Sequence, residues 1–213
     1  MHFIGVLNTK GGVGKTTLVS CLAVRATQDS NVAVCDLDPQ SSLSDWYVRR
    51  GSPPNPNLLT NADLASDAAE SLRLTSHYDY ILFDGPPGAL MVTEDAVETC
   101  DFVVIPIRAS GFDLGASRDC IQICQDLSTP YLVVINDVTR SDAKLVEAAR
   151  STLRSWNVPL AKASVSHRVA YVSAVITGTT GAERDAKGAG QEIDLLWKEI
   201  KAAVRKAAKE KAA

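Results

Sequence analysis

The sequence predicts an α/β fold, a doubly wound, mostly parallel sheet flanked by helices, in one domain over residues 1–213. Three observations predict it. Short continuous apolar runs recur along the chain, each is followed by a stretch with helical character, and a glycine-rich segment, NTKGGVGKTT, joins the first run to the first such stretch. The apolar runs are 2–7 (HFIGVL), 31–35 (NVAVC), 80–83 (YILF), 102–107 (FVVIPI) and 131–135 (YLVVI). Strands of a parallel sheet are covered on both faces and therefore read as uninterrupted apolar segments rather than as alternating ones. The helical stretches are 15–28, 61–75, 89–98, 113–126 and 141–156, several opening with Ser, Thr, Asn or Asp as a cap. Segment 51–57 (GSPPNPN) is a surface connection, short enough that the β-α alternation resumes beyond it. Residues 158–165 predict a further strand, and 178–190, rich in glycine, a loop. The last helix, 191–211, places Ile193, Leu196, Trp197, Ile200 and Val204 at spacings of three and four, a stripe that should dock on the sheet.

Composition sets the class. Of the residues 46% are hydrophobic, and 22 basic against 25 acidic side chains leave a formal charge of −3, which excludes a disordered or collagen-like chain. The first apolar run is too short for a secretory signal and no later run approaches a bilayer span, so the expected location is the cytoplasm. The cysteines Cys21, Cys35, Cys100, Cys120 and Cys124 are odd in number and lack CxxC spacing, and read as reduced core residues.

The chemistry begins at the glycine-rich segment. Strand, glycine loop and helix in that order are the context of a phosphate-binding loop. Gly11, Gly12 and Gly14, with Val13 between them, let the backbone curl so that successive N–H groups point at phosphate oxygens, and the helix starting near Lys15 adds its positive end. Lys15 would reach the outer phosphates of ATP, Thr16 would offer its hydroxyl to Mg2+, and Thr17 completes the loop. Where the common pattern has its first glycine stands Thr9, followed by Lys10. Lys15 already serves the bound phosphates, which leaves Lys10 for a nucleotide held by a second subunit and implies a sandwich homodimer with ATP. Asp36, Asp38 and Asp84 close the second and third apolar runs, at the strand ends where open α/β sheets bind ligands.

KGGVGKTT, with DLDPQ at 36–40 and ILFDGPPG at 81–88, resembles the deviant Walker ATPases of the ParA/MinD superfamily. The resemblance implies that Lys10 is the signature lysine crossing to the partner's phosphates, that Asp38 positions the attacking water, and that Asp84 and Asp36 belong with Thr16 to the Mg2+ shell. It makes Gly85, Pro86, Pro87 and Gly88 a switch that reports the γ-phosphate, and Asn136 an adenine contact, with an Asx turn as the alternative. It extends over nearly the whole chain, including SHRVAYVSAVITG at 166–178, and is greatest to short plasmid-type ParA proteins without an N-terminal helix-turn-helix. For those proteins the ATP dimer binds non-specific DNA, which makes the expected protein nucleoid-associated, and a ParB-like or other cargo adaptor stimulates slow hydrolysis.

The candidate DNA contacts are Arg168, Lys198, Lys201 and Arg205, with His167, Arg184 and Lys187 extending the surface. Two or three phosphate contacts per subunit in a dimer would give a salt slope of roughly 4 to 5. For the final helix the alternative is a solvated, dipole-compensating end, and for Arg168 a structural salt bridge. The competing function is MinD-like membrane positioning, which needs large apolar residues at the end of the last helix, where AAVRKAAKEKAA offers alanines; no membrane partner is expected. Trp46, Tyr47, Arg49 and Arg50 are candidate adaptor contacts, with simple packing as the alternative.

Overall fold

A computed structural model describes residues 1–59, 64–75 and 77–211. Its centre is a seven-stranded sheet in the order β3-β2-β4-β1-β5-β6-β7, every neighbouring pair parallel. The strands are β1 (His2–Val6), β2 (Val32–Asp36), β3 (Asn57–Leu59), β4 (Tyr80–Asp84), β5 (Phe102–Ile107), β6 (Tyr131–Val138) and β7 (Leu160–Ser166). Five of them are the apolar runs, and β7 is the further strand expected at 158–165. The short edge strand β3 lies at the end of the segment read as a loop; its three residues are half-buried and too few to carry a period.

Alternate residues of the central strands enter separate cores, as period-two geometry requires. Ile4, Val6, Val34 and Val104 face α1 (Lys15–Ala26), α2 (Ser42–Arg49) and the final helix, while Phe3, Ala33, Cys35 and Val103 face the opposite helical layer. That second layer is α3 (Ala65–Thr75), α4 (Leu90–Thr99), α5 (Gly111–Ala116), α6 (Arg118–Asp126) and α7 (Ala143–Ser155). Positions 61–63 of the expected third helix lie outside the described residues. The stretch expected as one helix at 113–126 is two, because Ser117 both ends α5 and precedes α6 and sends its hydroxyl to the Asp113 carbonyl at 2.8 Å. After β7 come α8 (Val169–Val175), α9 (Gly181–Arg184) and a π-type turn at Ala186–Gly190 that leads into α10 (Gln191–Lys211).

The stripe on α10 docks as expected. Ile193, Leu196, Trp197 and Ile200 are 0% exposed and Val204 3%, each large apolar side chain contributing about 1.5–3 kcal/mol through burial. All five cysteines are free and buried. Three of the four candidate adaptor contacts are held within the fold, while Arg49 is exposed: the Trp46 indole N–H donates to the Thr179 carbonyl at 3.0 Å, Tyr47 Oη to the Pro53 carbonyl at 2.8 Å, and Arg50 pairs with Glu183 at 2.7 Å. Gly178 is required there, since its φ is +69° and a Cβ would lie 2.2 Å from the Arg50 backbone nitrogen.

Candidate functional site

The carboxyl ends of β1, β2, β4 and β6 carry every residue of the expected nucleotide site. Directly after β1 the chain curls through residues 9–14 and enters α1 at Lys15. Gly14 makes the final bend with φ +91°, and a Cβ at that position would lie 2.3 Å from Asn136 Nδ2. Asn136 is buried and donates through Nδ2 to the Val13 carbonyl at 2.7 Å, fixing the loop against the end of β6. This amide braces the loop through Nδ2, and Asn136 also lines the cleft beside it.

A residue that the sequence reading passed over organises the other end of the loop. Asn8 is buried, donates to the Pro106 carbonyl and to Ser117 Oγ, both at 2.8 Å, and accepts from the Lys10 amide at 2.9 Å. The glycine-proline segment after β4 is tied to the same loop, since the Gly88 amide donates to the Thr9 carbonyl at 2.8 Å.

The two lysines are separated by their surroundings. Lys15 is buried, and its Nζ donates inward to the Lys10 carbonyl at 3.0 Å. Lys10 turns outward with 43% of its side chain exposed, and its Nζ stands 3.8 Å from Asp113 Oδ1 on α5. The sequence carried no signal for Asp113, whose place beside Lys10 depends on the β5-α5 connection.

The carboxylates divide as sharply. Asp84 is 0% exposed, and neither of its oxygens has a hydrogen-bond partner. Burial pushes its pKa up to about 8, against the opposing influence of the Thr16 hydroxyl and the Lys15 ammonium. Burial also lowers the Lys15 pKa, against Asp84 and Asp38. Both groups are thereby poised for charges that the isolated chain does not supply. A fully buried carboxylate with two free oxygens beside a threonine hydroxyl is a hard-oxygen donor set suited to Mg2+. Among the described residues no cluster of three or more His, Cys, Asp or Glu could cage a metal unaided.

Asp36, placed in the Mg2+ shell by resemblance, accepts hydrogen bonds on both of its oxygens. Its Oδ2 accepts from the Ser44 amide at 2.9 Å and Ser44 Oγ at 3.0 Å in the first turn of α2, and its Oδ1 accepts from the Asp38 amide at 3.2 Å. It therefore caps α2 and fixes the DLDPQ turn. Asp38 follows, half-buried, with Oδ1 accepting from the Gln40 amide at 2.9 Å.

Beside the loop opens a cleft of about 340 Å3 lined by Gly12–Gly14 and Thr17, by Arg108, Asn136 and Asp137, and by β7-α8 residues including His167, Tyr171 and Val172. Its size is at the lower end of the range of small-molecule sites. Residues 4–180 match the CobQ/CobB/MinD/ParA nucleotide binding domain. The chain belongs to that family. At that level it is a ParA/MinD-family ATPase. Maintenance of carboxysome distribution protein A from Halothiobacillus neapolitanus is 30% identical over 209 residues, covering 92% of this chain and 95% of that protein. Chromosome partitioning protein ParA of Caulobacter vibrioides is 26% identical over 156 residues, covering 54% and 58% of the two chains. In fold, this ParA/MinD-family chain superposes on the MinC:MinD cell division protein complex of Aquifex aeolicus with a TM-score of 0.78 at 19% identity, covering 95% and 96%. It superposes on Cyanothece McdA in its ATP complex with a TM-score of 0.73 at 18% identity, covering 96% of each chain.

The basic residues expected on DNA do not form one class. Lys198 and Arg205 are exposed on α10. Lys201 pairs with Asp29 at 3.2 Å and lies 5.8 Å from the Trp197 ring centroid. Arg168 pairs with Glu192 at 2.7 Å and Asp185 at 3.1 Å, which ties the end of β7 to α10 and the π-type turn. This internal salt-bridge network is the alternative stated above for Arg168. Among the described residues no helix is long and apolar enough to cross a membrane.

Proposed function

We propose that the protein is a positioning ATPase of the ParA type: it binds ATP with Mg2+, dimerises on the nucleotide, holds non-specific DNA as a dimer, and releases it on hydrolysis stimulated by a cargo adaptor. The observation that carries the reading is the division between the two loop lysines. Lys15 points into the phosphate cradle, whereas Lys10 points out of it with its side chain 43% exposed and its ammonium facing Asp113. A cation outside its own cradle is placed to serve a nucleotide in a second copy.

Thr16 and Asp84 would hold Mg2+, which when bound neutralises charge on the phosphates. Lys15 stabilises the phosphate oxygens within its own subunit, Lys10 those of the partner, and Asp38 orients the attacking water. The backbone amides of residues 11–16 bind the phosphates at the head of α1. Loss of the γ-phosphate removes what holds the two copies together. Full-length similarity to the carboxysome distribution protein supports a large cytoplasmic body as the cargo class, alongside plasmid or chromosome. On the DNA side, Lys198 and Arg205 are exposed, as are His167, Arg184 and Lys187, while Arg168 is held in ion pairs with Glu192 and Asp185.

The test is binding of an arbitrary-sequence duplex by the purified protein with ATP, ADP or no nucleotide, over a salt series, using Asp38→Ala to prevent turnover. ATP-specific binding that weakens steeply with salt is expected. A dimer that forms with ATP yet ignores DNA at low salt would overturn the DNA part of the proposal.

A further inference from the structure

Helix α8 turns an apolar face to solvent. Val169, Val172 and Ile176 are 77%, 67% and 74% exposed, and among the described residues no other helix exposes as many large apolar side chains. Their spacings of three and four put them on one side of α8, whose opposite side buries Tyr171 and Ala174. Ile176, just past the last helical residue, keeps a helical backbone with φ −61° and so extends the row. Val172 also borders the cleft beside the phosphate loop, whereas Val169 and Ile176 lie outside its lining. A nucleotide in the cleft therefore leaves most of this face uncovered.

A cation is fixed along the edge of the same face. Arg184, at the end of α9, donates through Nε to Thr179 Oγ1 at 3.0 Å, through Nη1 to Ser173 Oγ at 3.1 Å and through Nη2 to Thr177 Oγ1 at 2.7 Å. Ser173 stands four residues after Val169 and Thr177 four after Ser173, so the guanidinium lies along the row next to the apolar one. The other cations around α8 reach carboxylates: Arg168 meets Glu192, Arg50 meets Glu183, and Arg108 and His167 meet Asp137. Among the described residues Arg184 has hydroxyl partners only, which immobilise its plane and leave its charge uncompensated. An aliphatic row edged by a preorganised, unneutralised guanidinium is complementary to an amphipathic helix with aliphatic residues on one face and a carboxylate at its border.

The far end of α8 is fastened to the nucleotide face. The Gly178 carbonyl accepts from Arg50 Nη1 at 3.1 Å and the Thr179 carbonyl from the Trp46 indole, both from α2 and its end. The first turn of α2 is in turn held by the Asp36 carboxylate, which also holds the Asp38 amide. An occupant on α8 thus bears on the turn that presents Asp38.

We propose that the α8 face docks an amphipathic, acidic-edged helix of the cargo adaptor, and that docking there is coupled to the nucleotide through α2. The inference rests on the switch reading above and adds to it the docking site and the chemistry of the partner. DNA offers an anion for Arg184 but nothing for the aliphatic row to bury, and three aliphatic side chains bury too little area to hold a lipid surface.

The probes are two fluorescein-labelled synthetic helical peptides with leucine at positions i, i+3, i+4 and i+7, one bordered by glutamates and the other by lysines. Binding to the full chain is read by fluorescence anisotropy with Mg-ADP and with the non-hydrolysable analogue Mg-AMPPNP. The glutamate peptide should bind, more tightly with Mg-AMPPNP. Val169→Ser with Ile176→Ser should weaken it at least about tenfold. Arg184→Glu should weaken it by about 3- to 10-fold and strengthen the lysine peptide. Thermal melting controls for folding, and Arg184→Gln, which removes the charge alone, serves should Arg184→Glu fold poorly.

Equal binding of the two peptides, or no binding of the glutamate peptide at millimolar concentration, would overturn the docking site. So would any of three reassignments of the same residues. In the first, Val169→Ser with Ile176→Ser abolishes ATP-dependent dimerisation in sedimentation and places the face against a second copy. In the second, Arg184→Glu abolishes binding to duplex DNA and leaves both peptides unaffected. In the third, the parent co-sediments with phosphatidylglycerol vesicles and the double serine variant does not. Equal peptide affinity in the two nucleotide states would overturn the coupling. Peptide docking by a parent that binds no nucleotide would support the site and overturn the switch reading instead.

Discussion

Replacing Asp84 with Asn should make the nucleotide-free protein more stable, although it removes a residue essential to the proposed activity. The Asp84 carboxyl is fully buried, without a hydrogen-bond partner on either oxygen, and its pKa is raised from 3.8 to about 8. A carboxyl raised on folding lends its stability below the unfolded-state pKa and withdraws it as pH rises towards the folded value. The loss therefore runs from about pH 4 to about pH 8. At pH 7 it amounts to roughly 1.36 kcal/mol for each of the 3.2 pH units above 3.8, or about 4 kcal/mol. At pH 5 it is less than half of that by the same arithmetic. Asparagine has nearly the same shape, does not ionise, and leaves polar atoms unpaired much as the protonated acid does.

The expected gain at pH 7 is about 2–4 kcal/mol, or on the order of 5–15 °C in Tm for a chain of this length. The assay is urea and thermal denaturation of parent and variant in metal-free, nucleotide-free buffer at pH 5 and pH 7, repeated with Mg-ATP. The gap between the two proteins should shrink at pH 5, and Mg-ATP should stabilise the parent more than the variant. A variant no more stable than the parent at pH 7, or a gap independent of pH, would refute the reasoning.

Other substitutions probe separate parts of the structure. Lys15→Ala should abolish ATP binding, whereas Lys10→Ala should leave binding by the monomer within a few-fold and prevent dimerisation, as read by calorimetry and by sedimentation with ATP. Gly178→Ala meets both a positive φ and the Arg49-Arg50 backbone, and should cost more than about 3 kcal/mol in chemical denaturation. Arg168→Ala should lower stability by about 1–2 kcal/mol through loss of charge-assisted hydrogen bonds to Glu192 and Asp185. Its DNA affinity per folded molecule should stay unchanged, whereas Lys198→Ala with Arg205→Ala should weaken DNA binding and reduce its salt slope.

What could be read from the chain was whatever repeats or is contiguous. Five strands announce themselves because burial on both faces leaves them no polar positions, and the α10 stripe because one helix face alone is covered. The phosphate loop is legible for the same reason: Gly11 to Thr17 lie side by side in sequence as in space. Edge strand β3 is only half-buried, so its residues escape the selection that makes a strand conspicuous. Ser117 splits a helix where its hydroxyl bonds the Asp113 carbonyl, and Gly115 just before it is the only residue in the sequence that marks the break.

The site shows the same division. Asp113 beside Lys10, Asn8 beneath the loop, and Arg108 with His167 on Asp137 are pairings across many tens of residues, set by strand order and not by spacing. Asp36 and Arg168 were visible as charged residues in suggestive segments, but their partners Ser44, Glu192 and Asp185 decide what they do.

The placement of β1 in the middle of the sheet bears on how the protein is made. Its hydrogen-bonded neighbours are β4 and β5, ending with Phe102–Val104. At about 5–20 residues per second, β5 follows β1 out of the ribosome after roughly 5–20 s. Until β4 emerges, for most of that interval, Phe3, Ile4, Val6 and Leu7, at most 1% exposed in the finished molecule, have neither flanking strand to pair with. The nascent chain thus carries an unpaired, sticky strand for much of its synthesis, and slowing translation before residue 107 should raise aggregation far more than slowing it afterwards.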